Sequence, residues 1–168
     1  MFVMGILNVT PDSFADGGKY LSADSAIKRG LEMIAEGANV IDIGGESTRP
    51  GAERITTEVE QERTLPVVSA LAGKGAVISI DTMSADTAKK AVEAGATIVN
   101  DVSGGKADAA MLATVAALGC KYVIMHWRGH SKDMNSLAIY EDVVLDVINE
   151  LKEQIEKAID AIIAEDER

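Results

Sequence analysis

An α/β chain of the (β/α) barrel class is what this sequence predicts, and three observations predict it. Short runs of branched apolar residues alternate five times with stretches of helical periodicity. The connections between them are short, which requires parallel strands joined by right-handed crossovers. The successive runs also end in polar residues: Asn8, Asp42, Asp81, Asn100 and His126. In a barrel those ends gather on one face, where the active site is built. An open doubly wound sheet, the alternative, recruits only the strands beside one switch point. A whole barrel takes eight units and roughly 200 residues or more, and these 168 residues supply five. The expectation is therefore one domain over residues 1–168, an incomplete barrel lacking the last three βα units.

Each element has its own reason. Residues 2–9 (FVMGILNV) form an uninterrupted apolar run, as a strand buried on both faces requires. The polar, turn-rich stretch 10–18 reads as a loop. A helix follows with Ser22 as its cap, and Ile27, Leu31, Ile34 and Ala38 on one face. Gly37 ends that helix, and residues 39–43 are the second strand. A third unit starts at Thr56 or Thr57 and runs through Val59, Leu65, Val68 and Leu71, with a kink or break expected at Pro66. Strands follow at 77–81, 97–101 and 122–126, and helices at 82–94 and 107–118. The last segment is one long amphipathic helix whose buried stripe is read as Tyr140, Val144, Ile148, Leu151, Ile155, Ala158 or Ile159, and Ile162. A repeated joint supports the alternation: Gly37-Ala38, Gly75-Ala76, Gly95-Ala96 and Gly119-Cys120 each lead a helix end into a strand.

Composition excludes several function classes. A formal charge of −11 argues against nucleic acid, whose phosphates require a basic face, and against an anionic membrane surface. A local cation or a divalent metal still permits an anionic small molecule. Cys120 is the single cysteine, so no intrachain disulfide forms and a reducing, cytoplasmic setting is expected. Cys120 itself reads as a small buried apolar residue. Residues 1–5 enter a strand without a basic region of the secretory type, and the longest nearly apolar run, about 111–125, is interrupted by Lys121 and is shorter than the ~18 residues a membrane span needs.

The stretch 42–52 (DIGGESTRPGA) carries the chemistry. Two glycines after a strand-end acid allow close approach of the backbone to a ligand. Thr48 and Arg49 can both bind an anionic oxygen. An acid with an anion-binding loop beside it suits a ligand with a polar ring and a phosphate tail. Asp42 is read as bracing this loop from below, and Glu46 as a brace behind it. Read alone, Asn8 could be a strand-end cap and Asp81-Thr82 a helix N-cap. His126 reads as a satisfied structural histidine, His130 as a loop residue and Asp12 as an Asx-turn residue.

Residues 4–14 (MGILNVTPDSF) with Asp16-Gly17-Gly18, then 41–51 (IDIGGESTRPG), resemble dihydropteroate synthase, the pterin-binding barrel family of the folate pathway and the sulfonamide target. Residues 80–82 (IDT), 99–105 (VNDVSGG) and Met125-His126 continue the resemblance in order. It implies an alkyl transfer joining a dihydropterin-6-ylmethyl diphosphate to 4-aminobenzoate, with release of pyrophosphate and with Mg²⁺ as cofactor. By matching position, Asn8 is implied as the metal ligand, and Asn8, Thr48, Arg49 and Asp16 as the catalytic set. Thr48, Asp81, Asn100, Phe14, Pro50 and Met125 are the implied substrate contacts, with Asp81 and Asn100 reading the pterin and Phe14, Asp16 and Pro50 on two mobile loops around aminobenzoate. The family's later strands carry a further pterin-binding acid, a lysine loop and a terminal Arg-x-His, none of which occurs here, so little activity is expected of these 168 residues alone. A homodimer is implied by the family. The alternatives are a pterin-binding methyltransferase domain using methyltetrahydrofolate, and a non-catalytic half-barrel.

Overall fold

The structure is a computed structural model that describes residues 1–10, 19–49 and 51–166, with the side chains of 19–22 excepted. Strand and helix alternate throughout: β1 (Met4–Asn8), α1 (Lys19–Ala35), β2 (Val40–Gly44), α2 (Thr57–Leu71), β3 (Val77–Asp81), α3 (Ala85–Glu93), β4 (Ile98–Asp101), α4 (Met111–Leu118), β5 (Lys121–Ile124) and α5 (Val143–Asp166). The five strands form one parallel sheet in the order β1-β2-β3-β4-β5. Strictly sequential order has no switch point, so the doubly wound alternative is excluded. Five βα units laid side by side are the arc of a barrel.

Period-two alternation assigns the faces. Leu7, Ile41, Ile43, Ile78, Ile80 and Val99 point to the helices and are at most 2% exposed. Val67, Val68 and Leu71 of α2 and Ala88 and Ala91 of α3 close over them with no exposure. Each large side chain so buried is worth about 1.5–3 kcal/mol. The residues that alternate with them face the other way. Register aligns Asn8 with Gly44, Gly44 with Asp81, and Asp81 with Asn100, and one layer down Ile6 with Asp42 and Asp42 with Ser79. Asn8, Asp81 and Asn100 therefore stand in one row on the inner face.

The helix boundaries have local causes. The Thr56 side chain accepts from Val59 N–H at 3.4 Å, and the Ser84 hydroxyl accepts from Thr87 N–H at 3.3 Å. Ser84, not Asp81-Thr82, is thus the cap of α3, which leaves Asp81 free for the cavity. The repeated glycine joint proves to be a left-handed turn, with φ of 101° at Gly37, 106° at Gly75, 116° at Gly95 and 60° at Gly119, conformations an L side chain resists.

Several expectations are corrected. Ser22 lies inside α1 rather than capping it, and Leu31 is 43% exposed while Ala26 is buried. α2 continues through Pro66 without a break; Pro66 faces solvent, and Val67 and Val68 beside it are fully packed against the sheet, offsetting the lost backbone bond. α4 begins at Met111, four residues later than expected, and β5 ends at Ile124, before His126. α5 starts at Val143, outside Tyr140, and its expected stripe is largely in solvent: Val144, Ile148, Ile155, Ile159 and Ile162 are all exposed. Gln154 is its one fully buried side chain. Cys120 is half-buried between α4 and β5, and burial pushes its thiol up. Among the described residues no helix is long and apolar enough to cross a membrane.

Candidate functional site

The carboxyl ends of the strands surround a cavity of ≈490 Å³. Asn8, Asp42, Asp81 and Asn100 line it from the sheet, Thr48 and Arg49 from the β2–α2 loop, and Met125 from beyond β5. Six of the sequence-assigned residues, Asn8, Thr48, Arg49, Asp81, Asn100 and Met125, are thus brought to one bowl. Phe14, Asp16 and Pro50 lie outside the described residues, as does Asp12.

Asp81 is the strongly perturbed carboxyl of the cavity. Burial, then the neighbouring carboxylates of Asp42, Glu60, Asp101 and Glu46, push it up to about 7. Its space is made by Gly44: a Cβ there would sit 3.3 Å from Asp81 Oδ2. The next glycine serves the scaffold, since a Cβ on Gly45 would lie 2.9 Å from Thr64 Cγ2. Behind it, Arg63 donates to the Gly45 carbonyl at 2.8 Å. The two glycines of the motif therefore do different jobs, one for the cavity and one for the seat of α2.

Asp42 corrects an expectation. It does not brace the loop: its Oδ2 accepts from Asn100 Nδ2 at 2.9 Å across the sheet, and it lines the cavity. Its Oδ1 has no hydrogen-bond partner, and neither have Asn100 Oδ1 and Ser79 Oγ. These are three of the four buried side-chain polar atoms without partners among the described residues, and all three sit on the inner face of the sheet. Buried polar atoms are otherwise satisfied in folded proteins, so a cluster of orphans under a cavity marks where a polar ligand belongs. The signal for Asp42 and Ser79 was present in the sequence: Ser79 lies two residues before Asp81 on one face of β3, and Asp42 alternates with the buried Ile41 and Ile43 of β2.

The acid of the 99–105 motif does something else. Asp101 is fully buried and accepts from Ser103 N–H at 2.8 Å, Ser103 Oγ at 2.7 Å, Gly105 N–H at 2.8 Å and the Tyr122 hydroxyl at 2.7 Å. It ties the turn after β4 to β5. Burial and the Asp101 carboxylate hold the Tyr122 phenol well above its usual range.

The rim is polar and cationic. Arg49 makes no ion pair among the described residues and faces the cavity. Glu46 is engaged by Arg54 at 3.0 Å, which folds the loop back on itself. His126 is satisfied at Nε2 by Glu150 at 2.9 Å. His130 is edge-on to Trp127 with its Nδ1 buried and unpartnered.

The donor set suits a hard cation carrying most of its own water. Asn8 offers a carboxamide oxygen at the cavity mouth, with Asp42 and Asp81 beside it. No group of three His, Cys, Asp or Glu residues capable of enclosing a metal exists among the described residues. Mg²⁺ is held in that manner, by one or two protein oxygens together with phosphate oxygens of the substrate, whereas zinc requires a fuller cage.

Comparison with known proteins agrees with this geometry. The chain is 51% identical over 160 residues to the dihydropteroate synthase of Mycobacterium leprae (strain TN), covering 95% of this chain and 56% of that one. It superimposes with a TM-score of 0.87 and 42% identity on Xanthomonas albilineans dihydropteroate synthase solved with 4-aminobenzoic acid, covering 95% of this chain and 56% of that one. The same enzyme solved in complex with 7,8-dihydropteroate gives a TM-score of 0.82 at 36% identity, with 96% and 56% covered. The chain thus spans about half the length of the relatives it matches. The profile of the family described as "Pterin binding enzyme" runs over residues 4–167, so nearly every residue discussed above falls within it, and the chain belongs to the pterin-binding enzyme family.

Proposed function

We infer that the protein contributes the pterin-reading half of a dihydropteroate synthase, which joins a dihydropterin-6-ylmethyl diphosphate to 4-aminobenzoate and releases pyrophosphate. The observation that carries this reading is on the inner face: Asp81 with orphaned Asn100 Oδ1 beside it and orphaned Asp42 Oδ1 one layer down. The amino-pyrimidine edge of a pterin presents adjacent N–H donors, and carboxylate and carboxamide oxygens in a recess are their complement. Arg49 and Thr48 on the rim supply donors for the departing diphosphate. Met125 adds an apolar wall for the ring.

Carbon–oxygen cleavage leaves positive charge on a carbon that the electron-rich pterin shares, so the protein's task is to stabilise the leaving anion and keep water away. The arylamine is neutral at pH 7 and attacks without a strong base. His126, engaged by Glu150, is not needed for it. In this reading Mg²⁺ is held by Asn8 and substrate oxygens, and when bound it neutralises diphosphate charge. Acidic neighbours around Asp81 make a cation at this position favourable, since they would otherwise repel the diphosphate. A cytoplasmic homodimer accompanies the reading.

The test is direct. The intact gene product, given dihydropterin diphosphate, 4-aminobenzoate and Mg²⁺, should release pyrophosphate, and Asp81→Ala should lower kcat/KM by about 10²-fold or more through the lost pterin contacts. No pyrophosphate release from the intact protein would remove the assignment. The 168-residue chain alone should turn over far more slowly than the intact protein.

A further inference from the structure

Among the described residues, the β2–α2 loop that carries Thr48 and Arg49 is held down at few points. Beside it is a second, half-open cavity of ≈180 Å³, lined among others by Glu46, Thr48, Arg54, Trp127, His130 and Met134. On that side the loop borders open space rather than a packed wall. Among the described residues, its tie to the β5–α5 connection is a backbone hydrogen bond, in which Gly51 N–H donates to the Ser131 carbonyl at 2.8 Å. Ser131 belongs to the long β5–α5 connection, whose residues 132–139 are all exposed. A loop so poorly buried cannot hold a neighbour in place unless something fixes it in turn.

Arg128 is that fixture. Its Nε donates to both Glu150 oxygens, at 3.0 and 3.2 Å, and Nη2 reaches Glu150 Oε1 at 2.5 Å. Nη1 donates to the carbonyls of Leu137, at 3.4 Å, and Ile139. The guanidinium lies over the Tyr140 ring, 3.8 Å from its centroid. Glu150 is on α5 and also meets His126 Nε2. One planar fork therefore staples both ends of the connection to the last helix, using the carboxylate, two carbonyls and an aromatic face together. Lysine offers neither the fork nor the stacking plane. At 22% side-chain exposure, the cluster is shielded enough to matter more than a surface ion pair.

We propose that Arg128 is a positioning residue: by pinning the β5–α5 connection to Glu150 and Tyr140 it holds the Ser131 carbonyl under Gly51 and so sets where Thr48 and Arg49 stand over the strand-end bowl. The consequence for turnover rests on the synthase reading; the mechanical link does not.

Amide hydrogen exchange on the intact protein tests the link. In Arg128→Ala, exchange at Gly51 rises about tenfold or more, while Ile43 and Ile80 in the core strands stay within about twofold of the parent. Arg128→Lys gives most of that rise, and it serves alone if the alanine variant does not fold. An unchanged Gly51 in Arg128→Lys, or an equal rise at Ile43 and Ile80, overturns the proposal. Steady-state kinetics of the same variants then address the reading beneath it. A several-fold higher KM for the dihydropterin diphosphate extends the link to substrate. Faster Gly51 exchange with unmoved kinetics keeps the mechanical link and refutes substrate contact by Thr48 and Arg49.

Discussion

Asp81 shows how one carboxyl couples stability to ligand binding. An unfolded aspartate ionises near pH ~4, whereas burial and the acids around Asp81 raise it to about 7 in the fold. The folded state therefore holds the proton more tightly. The stability this group contributes is full below pH ~4, is lost as pH climbs through about 7, and stays lost above. Asp81→Asn abolishes that loss. Urea denaturation should find the variant more stable than the parent by about 2–4 kcal/mol at pH 8, converging near pH 4. A parent whose stability is flat from pH 4 to 7 contradicts the shift. The same site should bind a pterin more tightly as Asp81 ionises, because an anionic oxygen is the better partner for N–H donors. Stability and recognition then pull in opposite directions, as expected where a strained residue is kept for its chemistry.

At the scale of elements, the 42–52 motif is two structures joined end to end. Gly44 is the last residue of β2 and leaves room for Asp81, while Gly45 lets α2 come close enough for Thr64 to pack against it; the Thr64 hydroxyl is turned back on the Glu60 carbonyl of its own helix at 2.8 Å. Gly45→Ala would place a Cβ 2.9 Å from Thr64 Cγ2 and 3.2 Å from the Glu60 carbonyl oxygen. That crowding involves backbone as well as side chain, so it should cost about 1–3 kcal/mol of stability. Chemical denaturation checks it, and a loss under ~0.5 kcal/mol would show that the helix can retreat. Much of this was legible beforehand. The glycine pair after a strand-end acid marked a close approach, but which atoms approach each glycine depends on α2, whose packing no local pattern encodes.

For the molecule as a whole, the clearest miss is α5. The stripe expected from its periodicity is displaced by one residue from the side that packs: Val147, Leu151, Gln154, Ala158 and Ala161 are at least partly covered, and Ile148, Ile155, Ile159 and Ile162 are exposed. One residue is about 100° around a helix, so the expected stripe shares Leu151 and Ala158 with the packed side and misplaces Ile148, Ile155 and Ile162. The apolar side chains are present on both faces, and hydrophobicity alone could not choose between them. Ile155→Gln and Ile159→Gln should each change the stability of the chain by less than about 0.5 kcal/mol. Leu71→Ala, in the closed core, should cost about 2–5 kcal/mol. Equal losses at all three positions would contradict the observed burial.

The sequence by itself determined the alternation of strand and helix, the left-handed glycine joints between them, and the polar residues at the carboxyl ends of β1 to β4. These follow from chain-local periodicity and backbone sterics, which neighbours in sequence are enough to specify. Tertiary structure alone decided that Asn8, Asp81 and Asn100 stand in one row, that Asp42 bonds Asn100 rather than its own loop, and that Gly51 hangs from Ser131. Each of those joins residues far apart along the chain, and register and packing, which arise only when the strands are laid side by side, choose the partners.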